Sequence, residues 1–160
     1  MRTTTPAALL LALGLAACGG STDHKKAAYK AFADEDHAEA AQQFEQALAS
    51  RSASDADYKE LKIDRVRALS WVDGDRALVA ARNLASELTL DAREYRDITT
   101  EMVNAHAYAP AVQMMDLGMK AFPDDEKMAQ VRDVVIETSE QAGDPAALNA
   151  LKGMGYLGGD

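Results

Sequence analysis

Apolar residues recur every three or four positions through most of the chain, which is the spacing of one face of an α-helix. The spacing is clearest in three sets: Tyr95, Ile98, Met102 and Ala105; Ala111, Met115, Gly118 and Phe122; and Met128, Val131, Val135, Thr138 and Ala142. No run shows the alternation of apolar and polar residues that is typical of a half-buried strand. The pattern predicts short amphipathic helices, each of which must pack on a neighbour.

Turn and capping residues divide the chain after its N-terminal segment into eight predicted helices. They cover about residues 23–33, 36–50, 55–72, 75–88, 91–106, 110–122, 124–143 and 144–153. Asp36 with Glu39, and Asp91 with Glu94, have the spacing of a capping box at a helix start. We expect Asp75 to cap the fourth helix, because the preceding Asp-Gly pair is typical of a break.

A small residue recurs at a nearly constant spacing in the second helix of successive pairs. Ala40, Ala77 and Ala111 follow one another after 37 and then 34 residues. A helix pair repeated about every 34 residues resembles the tetratricopeptide repeat. The third copy is the most similar, with Pro123 at the place of the family's closing proline. Arg65 departs from the family, which prefers a small residue at that place in the apolar stripe.

The resemblance covers about residues 24–152 and implies an all-α fold. That fold is a short right-handed solenoid of about three tetratricopeptide-like hairpins plus a capping pair, whose first helices line a groove for a partner. A generic helical bundle is the alternative. The Gly-rich tail at 153–160 either frays or folds back so that Met154, Tyr156 and Leu157 cover the last hairpin.

The N-terminus has the features of a bacterial export signal. The apolar run from Ala7 to Leu15 is too short to span a bilayer, which takes roughly 20 residues. The run Leu15-Ala16-Ala17-Cys18 resembles the lipobox of bacterial lipoproteins, which implies cleavage before Cys18 and lipid attachment to its thiol. Residues 1–17 are then the signal peptide and 18–23 a lipidated tether. Gly19 in place of aspartate favours the outer membrane, facing the periplasm; the alternative is a secreted protein with an incidental cysteine.

Charge and missing motifs exclude several functions. The formal net charge is −9 and no basic tail exists, which argues against nucleic acid as a partner. The sequence has no phosphate-binding loop, nucleophile elbow or paired-histidine zinc motif, so we expect neither enzymatic activity nor a cofactor or metal. The methionines fall on apolar stripes and are expected in the core. His37 and His106 fall at turns, where solvated side chains are expected.

Basic residues on the predicted first helices form the candidate partner-binding groove: Lys59, Lys62, Arg65, Arg93 and Arg96. A cationic strip on an acidic protein suits an acidic peptide or a C-terminal carboxylate. The alternative is ordinary pairing with acids one helical turn away. Together these expectations describe a membrane-anchored periplasmic scaffold or assembly factor that binds an envelope protein. An accessory or activator subunit of a cell-envelope enzyme is the alternative.

Overall fold

The computed structural model describes residues 21–158, and over this range the chain folds into eight α-helices without a strand. The predicted signal peptide, Cys18 and the last two residues of the tail lie outside the described residues. The helices are α1 (Ser21–Ala33), α2 (His37–Ala49), α3 (Tyr58–Val72), α4 (Gly74–Glu87), α5 (Ala92–Asn104), α6 (Tyr108–Ala121), α7 (Glu126–Ala142) and α8 (Pro145–Gly153). None of them combines the length and the apolar character that a membrane crossing needs.

Aspartates begin most of these helices by accepting a hydrogen bond from the backbone N–H three residues later, which satisfies a donor that has no partner inside the helix. They are Asp36, Asp73, Asp91, Asp125 and Asp144. The capping box of Asp91 and Glu94 is confirmed, with reciprocal bonds of 2.8 and 2.7 Å. Asp36 caps α2 in the same way, but the Glu39 carboxylate accepts from Gln43 instead of completing the box.

Three helices begin earlier than the sequence predicted, and one of them, α6, begins at Tyr108 rather than at residue 110. The N-cap of α4 is Asp73, not Asp75, and it accepts from the N–H of Arg76 at 3.0 Å. Gly74 is therefore the first residue of α4 rather than a break between helices. The first helix begins at Ser21, so residues 21–23 of the predicted tether are helical. Asp23 lies in the first turn of α1, where a negative charge favours the helix dipole.

Short turns join the helices into four hairpins, α1–α2, α3–α4, α5–α6 and α7–α8. The first helices α3, α5 and α7 pack side by side, and the second helices α4, α6 and α8 form a parallel layer. The first hairpin joins this stack through α2, which packs against α3. The prediction of an all-α stack of helical hairpins is confirmed, while the specific resemblance to tetratricopeptide repeats stays a prediction.

Two glycines let neighbouring helices approach closely. At Gly74, an added Cβ would lie 2.6 Å from the Cβ of Ala107 and 3.1 Å from Cγ of Pro110, at the start of α6. At Gly118 in α6, an added Cβ would lie 2.5 Å from Cε of Met128 in α7. The distances of 2.6 and 2.5 Å are shorter than carbon–carbon contact allows. The Cβ of Ala107 is fixed to the backbone, so the spacing of α4 and α6 depends on the missing side chain of Gly74. Cε of Met128 is the end of a flexible side chain, so Gly118 mainly leaves room for that side chain.

Large apolar side chains fill the space between the layers. Fully buried side chains include Phe44, Leu61, Leu84, Ile98, Met102, Met114, Met115 and Met128. The four methionines among them confirm the expectation that methionines pack in the core. A second, smaller cluster lies between α6, α7 and α8 and contains Val112, Met115, Val135, Ala147 and Leu151.

The tail folds back onto this second cluster. Tyr156 and Leu157 are partly buried against it, whereas Met154 stays exposed. The N–H of Tyr156 donates to the carbonyl of Leu151 at 2.9 Å. Gly155 makes the reversal with a φ of 81°, a conformation that glycine adopts without a steric penalty. Of the two alternatives for the tail, the structure therefore shows the one in which it folds back, although Met154 does not take part in the packing.

Candidate protein-interaction site

The five basic residues predicted as a groove lie on two different faces of the stack. Lys59 and Arg96 belong to the face of the first helices. The Lys59 ammonium lies 2.6 Å from the carboxylate of Glu94 in α5, and Arg96 donates to Asp125, just before α7, at 3.1 Å. Arg93 is exposed and pairs with an aspartate one turn along its own helix at 3.5 Å. None of these three cations is without a carboxylate.

Lys62 and Arg65 face the second helices instead. Lys62 pairs with Glu87 of α4, and Nη2 of Arg65 lies 3.3 Å from the carboxylate of Glu45 in α2. Hydrogen bonds from Lys62 and Tyr58 hold the pKa of the Glu87 carboxyl below its ordinary value. The structure therefore does not bring the five residues together, and a partner's carboxylate would compete with one already present. Binding of an acidic peptide by these residues stays a prediction.

Polar contacts tie α1 to α3 on the face of the first helices. The Lys25 ammonium lies 3.0 Å from Asp57, and the Tyr29 hydroxyl donates to Asp64 at 2.8 Å. Hydrogen bonds from Lys25 and then Arg51 hold the pKa of the Asp57 carboxyl below its ordinary value. Burial, followed by the hydrogen bond to Asp64, raises the pKa of the Tyr29 hydroxyl. The polar side chains on this part of the surface therefore bind the first hairpin to α3.

An aromatic cluster lies where α2 begins and α3 ends. The His37 ring stacks on Trp71 with 4.9 Å between ring centroids and meets Phe32 edge-on at 5.2 Å. The Trp71 indole N–H donates to Glu101 of α5 at 2.6 Å, and Arg67 donates to the same carboxylate at 3.1 Å. His37 is half-buried, so the expectation of a solvated histidine is wrong. The tight turn before α2 places His37 in contact with the end of α3.

A furrow of about 430 Å³ runs between α5 and α7 on the face of the first helices. We refer to it as the first-helix furrow. Its apolar part consists of four valines, Val103, Val131, Val134 and Val135. The side chain of Val134 is 51% exposed, although it lies among apolar neighbours. It offers apolar surface that a partner can bury, at about 25 cal/mol per Å².

Uncharged polar side chains border these valines. Thr100, Asn104 and Gln130 line the same furrow, and their side chains make no hydrogen bond to another residue in the described range. The amides of asparagine and glutamine each donate and accept, as a peptide backbone does. Three charged side chains also line the furrow: Arg96, which is paired with Asp125, Asp97, which is paired with Arg93, and Lys127. The furrow therefore combines an apolar floor with uncharged hydrogen-bonding groups and with charged groups whose formal charges sum to +1.

Sequence reasoning found only part of this site. It placed Val131 and Val135 on the buried face of their helix, and it left Val134 out because one adjacent exposed valine does not disturb a helical pattern. Within residues 21–158, no three His, Cys, Asp or Glu side chains are arranged to hold a metal ion. In comparisons with known proteins, no family model matches the chain, and neither a curated protein nor a solved structure is significantly similar to it.

Proposed function

We propose that this chain is a lipid-anchored interaction module of the bacterial envelope that binds an extended segment of a partner protein in the first-helix furrow. The observation that carries the proposal is the furrow itself. It has a valine floor, with Val134 half exposed, below a rim of Thr100, Asn104 and Gln130. Such a combination of an apolar floor and a few convergent polar groups is typical of a binding site.

An extended segment suits this furrow because its side chains alternate in direction. Apolar residues at every second position point at the valine floor, while the backbone groups between them meet Asn104 and Gln130. The charged side chains that line the furrow, Arg96, Lys127 and Asp97, have a formal net charge of +1, so we expect the affinity to depend only weakly on salt. The furrow is small, and confinement of both proteins to one membrane raises their effective concentration and offsets a modest affinity.

The lipid anchor rests on the run Leu15-Ala16-Ala17-Cys18. Each buried methylene adds about 0.8 kcal/mol of membrane affinity, so two or three acyl chains on Cys18 hold a protein stably where one chain does not. Gly19 after the cysteine supports a location in the outer membrane, facing the periplasm. At such a surface, a small stack of hairpins serves as a scaffold or assembly factor.

Site-specific cross-linking in cells tests the binding half of the proposal. A photoreactive amino acid in place of Gln130 is expected to cross-link a specific partner segment, and Val134→Glu is expected to remove that product. Val72 at the end of α3 provides the matched control, since it is 46% exposed, compared with 51% for Val134, and does not line the first-helix furrow. A product that survives Val134→Glu, or that Val72→Glu removes equally, contradicts binding in this furrow.

Fractionation tests the anchor separately. We expect the wild-type chain in the membrane fraction and the Cys18→Ala variant, if it is exported, in the soluble periplasm. Metabolic labelling with a fatty acid is expected to mark the wild type alone. If both forms fractionate alike and neither incorporates label, the anchor half of the proposal is wrong, whatever the cross-linking shows.

A further inference from the structure

The layer of second helices is interrupted between α2 and α4. Elsewhere α4 packs on α6 and α6 packs on α8, but α2 and α4, both fully within the described range, make no comparable contact. A furrow of about 450 Å³ opens there, next to a space of about 150 Å³ that shares Arg65, Ala80 and Asn83 with it. We refer to both together as the second-helix furrow. It shares no lining residue with the first-helix furrow.

Apolar and charged side chains together line this furrow. The charged ones are Arg65, Arg76, Asp73 and Asp75, with Lys62 in the narrower part. Leu69 of α3 is buried, and Val79 of α4 is 57% exposed. Leu48 of α2 lines the narrower part. Arg65 projects between these side chains from α3, where a small residue would let α2 and α4 approach each other. A volume of about 450 Å³ corresponds to roughly 15 water molecules of 30 Å³, so the furrow accommodates several side chains.

Arg65 uses only part of its hydrogen-bonding capacity. Its Nε is buried and has no acceptor in the described range. Its Nη2 makes one contact of 3.3 Å with Glu45, whose side chain is 65% exposed. The Nε and Nη2 donors of a guanidinium form a planar fork that fits both oxygens of a carboxylate. A buried N–H without an acceptor is unfavourable. Because Nε is enclosed by protein atoms, a carboxylate in the furrow reaches both donors when the Arg65 side chain rotates toward it.

We infer that the second-helix furrow binds an amphipathic helix of a partner protein, whose apolar stripe carries one carboxylate that pairs with Arg65. A helix fits because the empty place lies beside α2 and α4, where ridges of side chains on helices pack into grooves. Apolar residues of the stripe cover Val79, the exposed apolar side chain of the lining. The occupant carries a single carboxylate, because Arg76 offsets only one of the two aspartates that line the furrow, Asp73 and Asp75, and the other repels further negative charge.

This inference is independent of the first-helix furrow and is tested with that furrow blocked. The full lipoprotein, purified in detergent and carrying Val134→Glu, is used to select from a display library of helical peptides. We expect the selected peptides to share an aspartate or glutamate within an i, i+3, i+4, i+7 apolar pattern. Their affinity is expected to be the same for the wild type and for Val134→Glu.

Variants in the furrow then identify the contacts. Arg65→Gln is expected to weaken binding of a selected peptide at least tenfold, since hydrogen bonds to charged groups are worth more than neutral ones. Val79→Glu is expected to abolish binding. Arg82→Gln is the matched control, because Arg82 is an α4 arginine that donates to Gln113 at 2.7 Å and does not line the furrow. Circular dichroism establishes that each variant is folded.

Several results overturn the inference. They are a library that yields no helical binder, selected peptides without a carboxylate, or binding that Arg65→Gln leaves unchanged. Self-association of the wild-type chain that Val79→Glu abolishes would show a second copy, rather than a partner helix, as the occupant. If Arg65-dependent binding is found while the Gln130 cross-link is absent, the proposed function fails and this inference stands.

Discussion

Gly74 occupies a place where a single methyl group has no room, because the Cβ of Ala107 faces it from the start of α6. That Cβ is fixed to the backbone and cannot rotate away. We expect Gly74→Ala to lower the free energy of unfolding by about 1–3 kcal/mol, the usual cost of overpacking. Urea denaturation followed by circular dichroism measures the change.

Gly153 is the control for this substitution. It lies at the end of α8 with no heavy atom within 4 Å of an added Cβ. We expect Gly153→Ala to leave stability unchanged or to raise it by about 0.4–1 kcal/mol, since alanine restricts the unfolded chain. Equal losses for the two variants would show that the contact between α4 and α6 does not limit packing.

Asp57 makes stability depend on pH. Hydrogen bonds from Lys25 and Arg51 lower its pKa in the folded protein below the ordinary value of 3.8. A carboxyl whose pKa is lowered by folding stabilises the protein above the unfolded pKa, and this contribution is lost as pH falls through the folded pKa. We expect urea midpoints to fall as pH is lowered from 5 to 3, and Asp57→Asn to flatten that dependence.

An exposed aspartate provides the comparison for Asp57. Asp75 makes no ion pair within the described range, so Asp75→Asn should retain the wild-type pH dependence. An NMR titration of the Asp57 carboxyl gives its pKa directly. A value at or above the ordinary one would contradict the role assigned to Lys25 and Arg51.

Among the helices, the sequence predicted what local signals determine and missed what distant residues determine. The capping box of Asp91 and Glu94 is local, since its groups are three residues apart. The sequence predicted a break at Gly74. The structure instead needs glycine there because Ala107, which belongs to another hairpin, approaches it closely. The acids that pair with Arg65, Lys62 and Arg96 lie 20, 25 and 29 residues away. A search for acids one turn away on the same helix does not find these partners. Neither furrow can be predicted without knowing how the hairpins stack.

The folded tail acts as the last element of the stack. Tyr156 and Leu157 cover the cluster between α6, α7 and α8, and the Tyr156 hydroxyl donates to Asp116 at 3.3 Å. We expect truncation after Gly153 to lower the free energy of unfolding by about 1–3 kcal/mol, because partly buried apolar surface is re-exposed. Hydrogen exchange should show faster exchange in α8.

Tyr156→Phe separates the ring from its hydroxyl. It keeps the apolar contact and removes one hydrogen bond, so we expect a loss of about 0.5–1.5 kcal/mol, smaller than that of the truncation. If truncation leaves both the urea midpoint and the protection of α8 unchanged, the tail does not cap the stack.

Across the whole molecule, the first hairpin is attached differently from the others. Neighbouring hairpins from the second to the fourth contact each other through both layers. The first hairpin contacts the second through α2 against α3, and α1 packs on α2 and reaches α3 mainly through polar contacts. Stability in a stacked array follows such nearest-neighbour contacts. We therefore expect amide protons of α1 to exchange before those of α5 and α6 under native conditions, measured by hydrogen exchange.

Trp71, the one tryptophan of the chain, reports on the same event. It stacks on His37 at the junction of the first two hairpins, so its emission should shift to longer wavelength at urea concentrations below the main loss of helical signal. Coincident transitions, with uniform exchange of α1, α5 and α6, would mean that all four hairpins unfold as one unit.

With the proposed lipid on Cys18, the start of α1 at Ser21 limits how far the first hairpin lies from a membrane. Three residues separate Ser21 from Cys18, and an extended chain spans at most about 10 Å over that distance. α1 has 13 residues, about 20 Å, so on a chain lipidated as proposed even the far end of α1 stays within roughly 30 Å of the lipid. The proposed anchor would therefore hold the first hairpin close to the bilayer, where an integral membrane protein or another lipoprotein can meet it.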